Sequence, residues 1–231
     1  GQPDPPRYFA VMKRLNRDGP SLLNTGLPTP TRLDKRELDS ITQSGAMVVD
    51  VRSASMFAQG HVAGTINIPY NKSFTNWAGW LIPYDRDFAV IVDEHIHPES
   101  VTRDLALIGL DRMLGYFTDD VLRGREDLQT TTSISTSEMV DDKNALVLDV
   151  RGTSEWDAGH IPGAQHIPLG YLPDHLRELP RDKPIAVHCQ GGSRAAIAAS
   201  VLQAHGFSNV KHVRGGYAEW ARGMRTRRVD V

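Results

Sequence analysis

The sequence predicts an α/β protein built from two tandem units, each a central, mostly parallel sheet flanked by helices. Three observations lead there. Short β-branched apolar runs alternate with helical stretches along the chain, the signature of parallel α/β layers. The order of those elements occurs twice, and one stretch of it, 48–69 and 147–168, aligns at a constant offset of 99 residues. The single cysteine, Cys189, stands at the end of one apolar run, ahead of a glycine pair and an alanine-rich segment.

Length and composition set the frame. A chain of 231 residues, 40% hydrophobic and 23% charged, can bury one large or two ordinary cores and is globular rather than disordered. The formal charge of -2 gives no reason to expect nucleic acid or an anionic membrane as a partner. Arg222, Arg225, Arg227 and Arg228 form a local basic cluster that reads as a solvated terminus. No apolar stretch approaches the ~20 residues that span a bilayer, and no charged-then-apolar leader opens the chain. One cysteine cannot form an intrachain disulfide, in keeping with a reducing, cytoplasmic setting.

Taken in order, residues 1–30 are proline-rich and polar, with Phe9, Met12 and Leu15 at helical spacing inside Tyr8–Asn16. They read as a connector arm that docks on something else. Residues 31–122 form the first unit and 133–231 the second, with a polar linker from Asp119 to Thr132. Val48-Val49-Asp50-Val51-Arg52 through Gly60-His61 to Ile68-Pro69 repeats as Val147-Leu148-Asp149-Val150-Arg151 through Gly159-His160 to Ile167-Pro168. Ten of these 22 aligned positions are identical, and the 99-residue offset exceeds the length of a solenoid repeat, which suggests a duplicated domain. Each half opens with a helix (Asp34–Gln43, Ser135–Asp142), and Ser135 with Glu138 has capping-box spacing. A strand follows (Met47–Val51, Ala145–Val150), then a short helix near Met56 or Glu155 and a brief strand at Thr65–Ile68 or Ala164–Ile167. A third strand (Ala89–Val92, Ile185–Val187) leads into a helix ending near Gly109 or Gly206, plausible C-cap glycines. Arg112–Leu114 and Val210–Val213 close the two sheets.

The candidate site is Cys189-Gln190-Gly191-Gly192-Ser193-Arg194. A strand, a tight loop and a helix N-terminus meet there, with the sulfur at the mouth of the loop. Backbone N–H groups of Gln190, Gly191, Gly192 and Ser193 can converge on one point, and the helix dipole adds partial positive charge. That setting favours a thiolate, hence a nucleophile in an anion cradle. A lone cysteine is otherwise a small buried hydrophobe. The glycines, which permit close backbone approach, the fixed cation of Arg194, and the place at the carboxyl end of a parallel strand weigh toward function. Asp149 and Arg151 are supporting candidates, as a loop organiser acting through the arginine or as a structural ion pair. His188 alternates away from the cysteine and is expected to be packed. His160 recurs as His61 and is expected to be structural. His95-x-His97 offers too few ligands for a metal, and no cofactor is implied.

These residues carry a resemblance. Asp149-Val150-Arg151, Glu155-Trp156, Gly159-His160-Ile161-Pro162-Gly163-Ala164, Ile167-Pro168, the Cys189–Arg194 loop and Arg214-Gly215-Gly216-Tyr217-Ala218-Glu219-Trp220 together resemble a rhodanese (sulfurtransferase) domain. Residues 33–117 resemble the same domain with the catalytic segment lost. There Val92 or Asp93 stands where Cys189 would, so the first of two tandem rhodanese-like domains is expected to be catalytically silent. Pro5-Pro6-Arg7-Tyr8-Phe9, Met12-Lys13, Leu15-Asn16 and Gly19-Pro20 resemble the connector after the catalytic domain in fusions of metallo-β-lactamase-fold persulfide dioxygenases with rhodanese domains. A dioxygenase domain in the same native chain is the partner this implies.

The resemblance implies sulfane-sulfur transfer from thiosulfate or a low-molecular-weight persulfide to a thiol or cyanide through a Cys189 persulfide. Arg194 would then pair with a sulfonate or sulfite oxygen and hold the loop shape. A cysteine phosphatase is one rival, but such enzymes of this fold enclose phosphate with Cys-x₅-Arg, whereas Cys189 to Arg194 spans six residues. The shorter cradle suits one sulfur atom. The other rival is a module that carries persulfide or docks a partner without turnover.

Overall fold

The computed structural model describes residues 28–229, of which 224–229 by backbone alone, together with Tyr8, Phe9, Lys13, Arg14, Arg17 and Gly19. The rest of the expected arm lies outside the described residues. Chain contacts divide the protein into two compact units. One is centred on Gly64–Leu128 with the stretch ending at Phe57; the other is centred on Gln129–Val231 and takes in Ala58–Ala63.

The first half begins with a 3₁₀ turn, Lys35–Glu37, running into α1 (Leu38–Gln43). It continues through β1 (Met47–Asp50), α2 (Ala54–Gln59), β2 (Ile66–Asn67), α3 (Phe74–Leu81), β3 (Phe88–Val92), α4 (Pro98–Ala106) and β4 (Met113–Thr118). Its sheet has the order β2-β1-β3-β4, every pair parallel. All five residues of β3 are buried, as expected of a strand covered on both faces by helices. Tyr8 packs its ring against Gly79 of α3, where a Cβ would approach it to 2.8 Å.

The second half is β5 (Thr132–Ile134), α5 (Thr136–Asp141), β6 (Leu146–Asp149), α6 (Thr153–Asp157), β7 (Gln165–His166), α7 (Leu172–His175), β8 (Ile185–His188), α8 (Ser193–Ala204), β9 (Val210–Val213) and α9 (Gly216–Val229). The order is β5-β9-β8-β6-β7, again parallel throughout. Ser135 caps α5 as its spacing predicts: its hydroxyl accepts from the Glu138 N–H at 3.2 Å, and the Glu138 carboxylate accepts from the Ser135 N–H at 2.6 Å. Under the sheet, Ile134, Met139, Ile161, Ala186 and Val213 form a buried cluster against which Tyr217 and Trp220 pack.

Three details differ from the sequence reading. The strand expected at Arg112–Leu114 continues to Thr118 and is followed by a 3₁₀ turn, Asp119–Leu122. Thr132, expected in the linker, belongs to β5, which pairs with β9. Helices α3 and α7 arise where no element was expected, because each is short and leaves little periodic signal. In the first half the counterpart of β5 is a single bridge, Arg32 to Tyr116.

Candidate active site

The chain leaves β6, adds β7 on one side, then returns to β8 on the other side of β6. That reversal places the carboxyl ends of β6 and β8 at a topological switch point, where open α/β sheets form their crevice. Asp149 ends β6 and Cys189 follows β8. Paired register sets Asp149 opposite His188 and, in the first half, Asp50 opposite Ile91. Val92 therefore occupies the place of Cys189. There β3 runs on, with Val92 opposite Thr118, whereas β8 stops at His188.

Cys189 is 1% exposed. The N–H of Gly192 donates to its Sγ at 3.1 Å. Gly192 has φ of 108°, a left-handed conformation that side chains disfavour, and it is the cap from which α8 begins. Of the four loop N–H groups expected to converge, this one is aimed at the sulfur. Gln190, Gly191 and Ser193 lie exposed around the rim. The start of α9 grips the outer side of the loop. Tyr217 N–H donates to the Cys189 carbonyl at 2.8 Å, and Ala218 N–H donates to the Gln190 carbonyl at 3.1 Å. Such close approach requires glycine at 216: φ is 54°, and a Cβ would sit 2.2 Å from the Cys189 carbonyl oxygen.

Arg151 is held by Asp149 beneath this loop. Its Nε donates to Asp149 Oδ1 at 3.0 Å and its Nη2 to Oδ2 at 2.7 Å, and neither residue is more than 1% exposed. The same guanidinium donates to the Gly159 carbonyl at 2.8 Å, reaches Gln190 Oε1 at 3.4 Å, and stacks over the Tyr217 ring at 3.9 Å. It thereby ties β6, the Gly159-His160 turn and α9 to the loop. The first half keeps the ion pair, with Arg52 Nη2 2.6 Å from Asp50 Oδ2, although its own sequence holds no cysteine. A pair retained without the nucleophile is first of all structural.

Arg194 faces a carboxylate. Its Nη1 and Nη2 donate to Glu155 Oε2 and Oε1 at 2.5 and 2.7 Å. The hydrogen bonds to Arg194 hold the Glu155 carboxyl below its usual range despite partial burial. The same bonds raise the Arg194 pKa, to which the nearby Cys189 side chain also contributes. Glu155 further accepts from the Gly152 N–H at 3.1 Å, so it both caps α6 and anchors the first turn of α8.

Two histidines touch the loop and two more stack on Trp156. His188 is fully buried; its Nε2 stands 3.6 Å from Asp149 Oδ2 and has no hydrogen-bond partner. Burial pushes its pKa down, the Asp149 charge working against that. His160 stacks on Trp156 at 3.7 Å and His166 at 4.6 Å, a packing role as expected for His160. His212 escaped the sequence reading. From β9 its Nε2 bonds the Gly192 carbonyl at 2.9 Å and its Nδ1 the Ser133 hydroxyl at 3.2 Å. With Nε2–H donating, it fixes the peptide plane that carries the Ser193 N–H on its opposite edge. Its pKa too is lowered, chiefly by burial.

Both depressions have the same consequence for stability. Above the ordinary value of 6.5 the two rings are neutral folded and unfolded. As pH falls past it, the unfolded chain takes up protons that the folded chain refuses, so stability drops until each ring protonates in place. Denaturant midpoints of this half are expected to fall between about pH 7 and about pH 5, and less steeply in His188→Gln. Equal slopes in the two proteins would remove His188 as a cause.

A parallel α/β unit with a cysteine just past its fourth strand, β8, and a helix beginning four residues later sets a thiol at a strand-to-helix turn. The Rhodanese-like domain family matches residues 34–118 and 135–222, and the chain belongs to that family. A sulfurtransferase of Allochromatium vinosum is 32% identical over 84 residues, 36% of this chain and 78% of that protein. YqhL, an uncharacterized protein of Bacillus subtilis, is 36% identical over 78 residues, 34% of this chain and 62% of its own. A metallo-beta-lactamase structure from Staphylococcus aureus shares 37% identity over 51% of this chain and 30% of that one, with a TM-score of 0.41. The chain spans less than two thirds of the Bacillus relative's length. Among the described residues no helix is long and apolar enough to cross a membrane.

Proposed function

We propose that the chain is a sulfurtransferase, moving sulfane sulfur from thiosulfate or a low-molecular-weight persulfide to a thiol or cyanide acceptor through a Cys189 persulfide. The observation that carries this reading is the Gly192 N–H set 3.1 Å from the sulfur inside a turn of six residues, Cys189 to Arg194. The cradle is sized for one anionic sulfur rather than a tetrahedral phosphate. Thiolate Cys189 attacks the outer sulfur of the donor; the S–S bond breaks, and sulfite or a thiolate leaves with the electron pair. The new persulfide anion is stabilised by the Gly192 N–H, as an oxyanion would be. An acceptor thiolate or cyanide then attacks its terminal sulfur and regenerates the Cys189 thiolate, which is ping-pong catalysis without a resident cofactor. Asp149 and Arg151 support the loop from beneath.

The first unit, with Val92 in the cysteine's place, is read as catalytically silent. Relatives named sulfurtransferase support the class of reaction. The resemblance of the arm to a connector supports a persulfide dioxygenase domain in the same native chain as the source or consumer of persulfide. Incubation with thiosulfate, and separately with glutathione persulfide, is expected to raise the mass of the intact chain by one sulfur atom, reversed by cyanide. Sulfur loading without turnover would favour a persulfide carrier instead. Hydrolysis of an aryl phosphate at a useful rate would favour the phosphatase.

A further inference from the structure

The charges around Cys189 cancel in pairs. Arg151 is closed onto Asp149, and Arg194 is closed onto Glu155 by two short bonds. His188 and His212 are held toward neutrality by burial. Arg214 is exposed, so solvent and salt screen its charge. What the loop offers an anion is therefore mainly N–H dipoles. That suffices for a single charge on sulfur. Thiosulfate is more demanding, since its dianion must meet a thiolate in the same turn and carries its two charges into a site whose arginines are already compensated.

A second observation points to Glu155 in particular. At the constant offset of the repeat its counterpart is Met56, so this carboxylate occurs in the half that carries the cysteine and is missing from the half that does not. In the first half the Ser53 hydroxyl caps the equivalent helix by accepting from the Met56 N–H at 3.2 Å, so the cap itself needs no carboxylate, whereas the paired grip on Arg194 does. We infer that Glu155 is a specificity-determining residue, which cancels the charge of Arg194 and selects a low-molecular-weight persulfide over thiosulfate as sulfur donor. This inference rests on the sulfurtransferase reading above. Arg194 keeps further N–H groups beyond the two that Glu155 takes, so it remains a hydrogen-bond donor near the sulfur while its charge is spent locally.

The test compares kcat/KM for thiosulfate and for glutathione persulfide, with cyanide as acceptor, in the unaltered chain and in Glu155→Gln. Glutamine retains an oxygen for Arg194 and the Gly152 N–H but removes the charge. The ratio of thiosulfate to persulfide efficiency is expected to rise about tenfold, the scale of one unit charge at short range under partial screening. A ratio that stays constant or falls overturns the inference and leaves Glu155 a structural tie. Should the variant not fold, the unaltered chain still decides. Its efficiency with thiosulfate is expected to vary little from about 20 mM to about 500 mM salt, and a steep fall would show Arg194 free to attract the dianion. Failure of both donors to add sulfur to Cys189, seen by mass, would instead sink the sulfurtransferase reading itself, and the inference with it.

Discussion

Cys189→Ser is expected to lower thiosulfate:cyanide sulfur transfer by more than about a thousandfold, the order seen when a covalent enzyme loses its nucleophile. Serine keeps an acceptor for the Gly192 N–H, now set 3.1 Å from sulfur, and is slightly smaller, so the buried site accommodates it. Its hydroxyl has no general base beside it: His188 is turned toward Asp149, and His212 is engaged with Gly192 and Ser133. The alkoxide needed for attack would not form, and an S–O adduct is a poor sulfur carrier. Because the sequence holds one cysteine, no other thiol can substitute. Activity surviving the change would remove Cys189 from the mechanism, while an unchanged denaturation midpoint would show that the loss is chemical.

Asp149→Ala is expected to cost the second half about 3–5 kcal/mol, the usual penalty for stranding one member of a buried ion pair. Arg151 is 1% exposed and would keep its charge with its main partner gone. The repeat supplies an internal control. Asp50→Ala removes the carboxylate paired with Arg52, itself buried, and should likewise destabilise the first half. Denaturant unfolding followed separately for the two halves would check both. A loss much smaller at Asp149 than at Asp50 would mean that the Gly159 carbonyl, Gln190 and Tyr217 hold the Arg151 charge by themselves.

Much of the architecture was legible because apolar runs, glycine stops and the repeat agreed with one another. Gly109 and Gly206 do adopt positive φ, 78° and 82°, just past α4 and α8. Helix α3 was missed since its residues, Phe74–Leu81, are apolar on more than one side and bury Phe74, Ala78, Gly79 and Leu81. Strand β5 was missed because Thr132 and Ser133 are polar and exposed at a sheet edge, where alternation is only three residues long. The nucleophile and its loop could be read from contiguous residues. Their supports could not: Glu155 lies 39 positions from Arg194, and His212 lies 20 from Gly192. Pairings at that separation follow from strand order, which a linear reading leaves open. For Glu155 a usable signal existed, its replacement by Met56 in the half without cysteine. The register also resolves the choice between Val92 and Asp93, in favour of Val92.

The solitary, 1% exposed thiol sets how this chain can handle sulfur over time. A persulfide formed at Cys189 meets no second cysteine within these 231 residues that could expel it as sulfide and lock the site as a disulfide. Nor can two folded copies readily cross-link, since a bridge needs Cα atoms within about 7 Å and the sulfur lies beneath its own loop. On the proposed mechanism the loaded state has no thiol exit within these 231 residues. Its lifetime would follow the arrival of an acceptor from beyond them, making Cys189 a one-atom store whose capacity is stoichiometric.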